Sequence, residues 1–226
     1  MKKLLFTVCA LLLSVAAYAQ TDVTQFLGIP VDGSKTAMIE RLKAKGFTLA
    51  PEYGDNALTG EFNGSNSIVY IGTNNNKVCR IMVTDATPMD AGSIRIRFNI
   101  LCEQFKNNPK YVSFDDYSIP EDEDIRYEIT VHDKKYDAIF YQAAHSIDSA
   151  ALANELRPII AEKYTPEQLA APTEEIKTDV ARIVMQAAYE KIAKKPVWFR
   201  IMEKGMGYSI CLFYDNEYNR AQGEDL

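Results

Sequence analysis

The sequence is poor in the residues on which most enzymes and metal sites depend. Among its 226 residues are only two histidines, His132 and His145, and four cysteines. It contains no HExxH and no GxSxG pattern, which are the signatures of zinc proteases and of many serine hydrolases. It also contains no CxxC pair, so a cysteine-based zinc site and thiol redox catalysis have no support. We therefore predict neither a bound metal nor a cofactor.

Positive charge is also scarce. The chain has 25 Lys and Arg residues against 31 Asp and Glu residues, which gives a formal net charge of −6. No run of basic residues is present that could face a phosphate backbone or an anionic lipid surface. Because nucleic-acid recognition needs a basic face, we predict no nucleic-acid partner.

A long hydrophobic run occurs only once, at the amino terminus. Lys2 and Lys3 precede an apolar run over residues 4–15, and the small-residue pattern Ala-Tyr-Ala follows it. This arrangement is typical of a secretory signal peptide, here 1–19, with cleavage before Gln20. The run is shorter than the ~20 residues that span a bilayer. We expect an exported protein, periplasmic or extracellular, with no transmembrane segment in the mature chain.

Three cysteines remain after the predicted cleavage: Cys79, Cys102 and Cys211. An odd number excludes a fully paired disulfide framework. Two interpretations stay open. The cysteines are buried thiols that pack as small hydrophobic residues, or Cys79 and Cys102 form one disulfide that joins a strand to the next helix in an oxidising compartment.

The stretch GIPVDGSKT at 28–36 resembles a phosphate-binding loop, but several features argue against that function. Ser34 stands between the second glycine and Lys35, which displaces the lysine by about 100° around a helix. Pro30 removes one backbone N–H donor, and such loops depend on these donors. We therefore interpret the stretch as a tight turn followed by the cap of a helix.

Apolar periodicity predicts an α+β fold in which helices pack on one face of antiparallel strands. Helices are predicted at 35–45, 91–107, 147–163 and 174–194, and the third is expected to end early, at Pro158. Strands are predicted at 58–62, 67–73, 77–84, 125–131, 136–142, 197–203 and 207–215. A helix followed by antiparallel strands thus occurs three times.

The predicted elements divide the mature chain into three parts. Residues 20–145 form helix-plus-sheet units, residues 146–172 form a helical linker, and residues 173–226 form a helix with a C-terminal hairpin. We expect the last part to belong to the same globular domain, and the sequence leaves open whether its hairpin joins the same sheet.

Both ends of the chain resemble a known group of proteins. The phrases FLGIPVDGSKTAMIERLKAKGF, EFNG, TNNNKVCRIMV and FYDNEYNRAQGEDL look like those of uncharacterised secreted proteins from gut-type Gram-negative bacteria. The resemblance covers about half of the chain and implies location and fold style only. The helix-then-meander units are also similar, in architecture, to β-lactamase-inhibitor-like and BamE-like domains, which are protein-binding modules.

The segment 110–124 is predicted to be a long aperiodic loop, a type of connection that is usually functional or disordered. We single out Tyr111, Phe114, Asp115, Asp116 and Tyr117 as candidate binding residues, because aromatic rings supply contact area and carboxylates supply charge. The alternative is a solvated acidic loop with one or two aromatic rings packed on the core.

Ser149 lies in an Asp-Ser-Ala pattern that some gut bacteria O-glycosylate on secreted proteins. The alternative is that Asp148 or Ser149 caps the following helix.

These observations favour an exported, non-enzymatic protein that binds another protein or a glycan through its sheet face or through the 110–124 loop. The alternative function is a hydrolase that uses paired carboxylates on glycans or peptides.

Overall fold

The computed structural model describes residues 23–142 and 149–221. The helices there are α1 (Lys35–Ala44), α2 (Ala91–Asn107), α3 (Ile125–His132), α4 (Ser149–Lys163), α5 (Pro166–Ala170) and α6 (Glu174–Ala193), with a 3₁₀ turn at Pro51–Tyr53. The strands are β1 (Gln25–Phe26), β2 (Ile29–Pro30), β3 (Thr48–Leu49), β4 (Leu58–Phe62), β5 (Ser65–Asn74), β6 (Lys77–Asp85), β7 (Tyr111–Val112), β8 (Asp137–Gln142), β9 (Pro196–Lys204) and β10 (Gly207–Asp215). The predicted α+β class with antiparallel strands is confirmed.

Eight of the strands form one antiparallel sheet, in the order β3-β4-β5-β6-β10-β9-β8-β7. The strands β3 to β6, which follow α1, run in order from one edge of the sheet to its centre. The strands β7 to β10, which follow α2, run in order from the other edge to the centre. One row of cross-strand pairs displays the relation: Leu58, Val69, Val83, Leu212, Phe199 and Ala138 follow one another across the sheet. The two halves are therefore related by an approximate twofold axis between β6 and β10, and the C-terminal hairpin lies in the same sheet as the rest.

The helices α1 and α2 cover one face of this sheet. Ser34 caps α1 by accepting a hydrogen bond from the Ala37 N–H at 3.3 Å, as the tight-turn interpretation predicted. Asp90 caps α2 in the same way through its carboxylate. The residues that the two helices bury against the sheet are Met38, Ile39, Leu42, Ile94, Phe98, Leu101, Cys102 and Phe105.

The predicted strand at 125–131 is wrong, because these residues form α3. Asp124 begins the helix by accepting a hydrogen bond from the Tyr127 N–H at 3.0 Å. The apolar pattern is ambiguous over so short a length, since residues four apart share a face in a helix and in a strand. Ile125 is buried and Ile129 packs against the core, which satisfies both patterns. The hairpin predicted between 125–131 and 136–142 is therefore absent, and β8 pairs with β7 and β9 instead.

The connection between β8 and β9 contains three helices. The helix α4 does not end at Pro158, as predicted, but continues through it to Lys163. The region predicted as linker also contains α5, which begins with a capping box formed by Thr165 and Gln168. Within the described part of the chain, no helix combines the length and the hydrophobicity needed to cross a membrane.

The predicted disulfide between Cys79 and Cys102 is not formed, and Cys79, Cys102 and Cys211 are free thiols. Cys79 lies at the irregular step of β6, beside Arg80, whereas Cys102 lies on the buried side of α2. Burial raises the pKa of the Cys102 thiol to about 12, so this thiol is unreactive at neutral pH.

Candidate functional site

The face of the sheet opposite α1 and α2 carries large side chains, several of which remain partly exposed although Phe213 and Asp215 are buried. We call it the open face and define it by Arg80, Asp137, Ile139, Trp198, Arg200, Met202, Phe213 and Asp215. Their alternation with core residues along β6, β8, β9 and β10 places them together on one side. Ile139 is 36% exposed and Met202 is 44% exposed, so apolar surface is accessible there.

Trp198, the only tryptophan of the chain, lies at the centre of the open face. Its ring stacks on Phe213 with centroids 4.0 Å apart and an interplanar angle of 16°. The guanidinium carbons of Arg80 and Arg200 each lie 5.6 Å from the Trp198 ring centroid. These distances fall within the range of a cation–π interaction. The indole is thus held in one position by side chains from β6, β9 and β10.

Two aspartates fix the arginines in place. The Arg80 guanidinium donates to both carboxylate oxygens of Asp215, at 2.5 and 2.7 Å, and Arg200 forms the same bidentate pair with Asp137. Trp198 Nε1 also donates to Asp215 Oδ2, at 2.9 Å. The hydrogen bonds to these carboxylates raise the pKa of both arginines. Bidentate pairs of this kind restrict orientation, so the surface is preorganised before any ligand arrives.

A groove of about 420 Å³ runs over this surface. Ile139 and Trp198 contribute to its lining, together with the two ion pairs, and Ala193 at the end of α6 lines it as well. Its size lies within the range of sites that hold a peptide side chain or a small molecule.

An aromatic cluster lies where this groove meets α6. Phe114 approaches Tyr141 of β8 at 5.8 Å and Tyr189 of α6 at 5.5 Å between ring centroids. Tyr141 also lines the groove, and burial together with the neighbouring Tyr189 raises its pKa. Phe114 is 61% exposed, so the cluster adds accessible aromatic surface to one end of the open face.

The five residues predicted as candidate binding residues differ in their surroundings. Tyr111 belongs to β7 and packs on the core, Tyr117 contacts the core residue Phe140, and Phe114 alone reaches the aromatic cluster. Asp115 is exposed, and Asp116 accepts hydrogen bonds from the backbone and hydroxyl of the nearby Ser118. The segment is anchored rather than free, because Asn99 of α2 exchanges two hydrogen bonds with the Ile119 backbone at 2.9 Å.

The residues at the centre of the open face were not predicted as a site. The strand predicted at 197–203 is correct, and the alternation of Trp198, Arg200 and Met202 is visible in its sequence. The sequence does not show the strand order, and therefore does not show that Phe213 of β10 and Arg80 of β6 lie beside the same indole.

Two predicted features lie at the limits of the described residues. Ser149 is the first residue of α4, but Asp148 and His145 lie outside the described part of the chain, as does the predicted signal peptide. Neither the O-glycosylation of Ser149 nor the cap that was its alternative is therefore tested.

Two of the acidic residues that line the groove are engaged in ion pairs. In the groove, Asp137 and Asp215 are each engaged by an arginine, whereas a glycosidase needs one carboxyl group that carries a proton. Over residues 23–142 and 149–221, no three His, Cys, Asp or Glu side chains come together in a way that could hold a metal ion.

Comparison with known proteins gives no relative: no family model, no curated protein and no solved structure matches the chain. The resemblance to secreted proteins of gut-type bacteria therefore stays a prediction.

Proposed function

We propose that this chain is an exported, non-enzymatic binding protein that holds a partner protein against the open face of its sheet. The observation that carries the proposal is the fixed position of Trp198 between two arginines on a partly exposed surface. Tryptophan, tyrosine and arginine dominate the energetic centres of protein interfaces, and methionine is also enriched there. The open face combines tryptophan, arginine and methionine with the exposed side chain of Ile139, and Tyr141 lines the groove at one end.

Preorganisation supports the same function. Binding costs less when the side chains that contact the partner are already immobilised. The pairs of Arg80 with Asp215 and of Arg200 with Asp137 satisfy the charges within the surface. A partner can therefore cover them without having to supply a counter-charge for each arginine.

The geometry favours a protein over a glycan as the ligand. Phe213 covers one face of the Trp198 indole, and the guanidinium groups lie over the ring, so the ring edge is what remains for a ligand. A sugar stacks on a free aromatic face, whereas protein side chains pack well around an edge. The exposed apolar groups of Ile139 and Met202 also suit a protein.

The proposed location is the periplasm or the cell exterior, and it rests on the predicted signal peptide. Mass spectrometry of the protein recovered from the envelope or the medium should give a chain that begins at Gln20. Recovery in the cytoplasm with residues 1–19 intact would contradict the location.

The experiment that tests the binding surface is affinity capture from envelope extract with two matched variants. Ile139→Glu places a charge on the open face, and Ile96→Glu places the same charge on the exposed side of α2, where Ile96 is 58% exposed. We expect Ile139→Glu to lose the captured protein and Ile96→Glu to retain it, with unchanged circular dichroism for both. Equal capture by the two variants would reject the open face as the binding surface.

Two further measurements separate the remaining possibilities. Phe114→Ala tests the segment 110–124, and it should weaken capture less than Ile139→Glu because Phe114 lies at the end of the groove. A glycan array with the purified protein tests the other ligand class. If the chain binds a glycan through Trp198 and captures no protein, the ligand of the open face is a glycan and not a protein.

A further inference from the structure

A second pocket lies on the opposite side of the sheet, beside the C-terminal end of α2, where the two halves of the molecule meet. It has a volume of about 470 Å³ and draws residues from both halves. The turn after β4 supplies one wall, and the C-terminal end of α2 supplies the other. Pockets that hold small molecules typically measure 300 to 1,000 Å³ and often lie between structural units.

The inner surface of this pocket is apolar. Phe62, Leu101, Phe105 and Leu212 contribute aliphatic and aromatic groups. Tyr214 also lines the pocket, and burial raises its pKa well above the ordinary tyrosine value. The hydroxyl of Tyr214 is therefore neutral at physiological pH, and the inner surface carries no charge.

The mouth of the pocket is polar. Asn63, Gln104 and Asn108 bring amide groups to it, and Asn63 Nδ2 donates to Gln104 Oε1 at 2.9 Å, which links the two walls. Both side chains of this link are exposed, so it can open at little cost. Among the described residues, no basic side chain lines the pocket, so nothing there supplies a counter-charge for an anion.

Leu27 at the same mouth has an unusual conformation. It lies in the two-residue turn between β1 and β2 with a φ of 52°, and its side chain is 39% exposed. Such turns favour asparagine, aspartate or glycine at this position, because a side chain such as that of leucine is strained at positive φ. Leu27 therefore strains the local backbone and exposes apolar surface to water. In return, its side chain supplies apolar contact area at the entrance of an apolar pocket.

We infer that this pocket binds a small, uncharged, predominantly apolar molecule, with its polar end at the amide groups of the mouth. The inference does not depend on the partner protein proposed above, since the pocket and the open face lie on opposite sides of the sheet. A fatty acid anion fits the pocket poorly because none of the described residues that line it is basic, whereas a neutral aromatic or acyl compound fits it well.

The test is a fluorescence titration of the exported chain with two probes of similar shape. N-phenyl-1-naphthylamine is neutral, and 8-anilino-1-naphthalenesulfonate carries one negative charge. We expect saturable one-to-one binding of the neutral probe, about tenfold tighter than that of the anionic probe. Absence of saturable binding would overturn the inference, and equal affinity for both probes would overturn its charge selectivity.

Two variants locate the bound probe. Gln104→Phe fills the mouth and should weaken binding of the neutral probe about tenfold. The control Glu103→Phe adds the same ring to the neighbouring exposed position of α2, outside the pocket lining, and should bind as the unmodified chain does. Equal affinities for these two variants would mean that the probe binds elsewhere. Ile139→Glu on the open face should leave the affinity unchanged.

A third variant distinguishes the loss of a ligand contact from the loss of folding as the cause of weaker probe binding. Leu27→Asn replaces the strained residue by one that adopts positive φ readily, so its thermal midpoint should stay equal or rise. We expect its affinity for the neutral probe to fall nonetheless, because the apolar contact at the mouth is lost. Unchanged or tighter binding by Leu27→Asn would contradict the role of Leu27 in the pocket.

Discussion

The two halves of the molecule build the same strand order with different connections. In the first half, β4 and β5 are joined by Asn63 and Gly64, both at positive φ, as a tight hairpin turn requires. In the second half, the matching strands β8 and β9 are joined by α4, α5 and α6. The sheet has the same pairing in both halves, so the register depends on the row of core pairs and not on the length of the connection.

The helices of the two regions are stabilised in different ways. The helices α1 and α2 bury apolar residues against the sheet, whereas none of the twenty residues of α6 is buried. The helix α6 is attached to α4 by polar contacts, in which Asp179 accepts hydrogen bonds from Lys163 and Tyr164 at 2.6 and 2.7 Å. In the insertion, Leu152 and Leu156 of α4 are buried, but most of the apolar burial lies between the sheet, α1 and α2.

The largest expected effect concerns the shared core. Phe199 is fully buried and contacts Phe98, Phe105 and Phe140. Phe199→Ala should reduce the free energy of unfolding by about 3–5 kcal/mol, because it removes an aromatic ring and leaves a cavity. Urea denaturation followed by tryptophan fluorescence and by circular dichroism measures the loss.

The matched variant of this experiment is Val69→Ala, at the equivalent position of the first half. Its loss should be smaller, since it removes fewer atoms. In both variants the two probes should report one coincident transition, because β6 and β10 join the halves in a single sheet. Separate transitions would show that the halves unfold independently.

The second prediction concerns a position at which the halves differ in packing. A Cβ atom at Gly60 would lie 2.7 Å from the ring of Phe47, whereas the matching position in β8 is occupied by Phe140. Gly60→Ala should cost about 1–3 kcal/mol of stability through overpacking. Thr59→Ala, whose side chain lies on the other face of the same strand, serves as the control. A stability equal to that of the control would contradict the close contact.

The third prediction removes the difference between the halves. Replacement of residues 143–194 by Asn-Gly gives β8 and β9 the turn that joins β4 and β5. The free energy of unfolding should change by no more than about 2 kcal/mol, because the shorter closed loop offsets the lost burial of Leu152 and Leu156. Loss of the cooperative transition would show that the insertion is needed for folding of the sheet.

The smallest expected effect concerns the attachment of α6 to α4. The hydrogen bond from Lys163, and then those from Arg182 and Tyr164, hold the pKa of Asp179 well below its ordinary value. Because the pKa of Asp179 is lower in the folded than in the unfolded state, the ionised carboxylate stabilises the folded contact at neutral pH. This stabilisation decreases as the pH falls below about 4. Hydrogen exchange should therefore show weaker protection of α4 and α6 at pH 3 than at pH 6, with α1, whose capping residue Ser34 carries no charge, unaffected.

The control for this pH effect is Asp179→Asn, which should already show the weaker protection of α4 and α6 at pH 6. Added salt should reduce the effect in the unmodified chain, because the charges are exposed. Protection of α4 and α6 that is equal at both pH values in the unmodified chain would contradict the role of Asp179.

Much of the fold could be predicted from local pattern, and the errors have local causes. The helices at 35–45, 91–107 and 174–194 and most strands follow from periodicity and capping residues. The segment 125–131 was misassigned because its β-branched alternation outweighed the cap at Asp124, and both patterns place Ile125 and Ile129 inward. Pro158 does not end α4, since proline lowers the probability of a helix interior without forbidding it.

The candidate site could not be predicted, because it depends on contacts between distant parts of the chain. Arg80 and Asp215 are separated by 135 positions and meet only because β6 pairs with β10. Phe114 was chosen for its place in a loop, but its neighbours Tyr141 and Tyr189 come from a strand and a helix. Composition identified aromatic and acidic residues, and only the strand order shows which of them are adjacent.

The outermost strands, β3 and β7, are only two residues long. Edge strands present unpaired backbone groups, to which strands of neighbouring molecules can add to form ordered aggregates. Because β3 and β7 are so short, a second molecule that paired with either of them would gain few backbone hydrogen bonds.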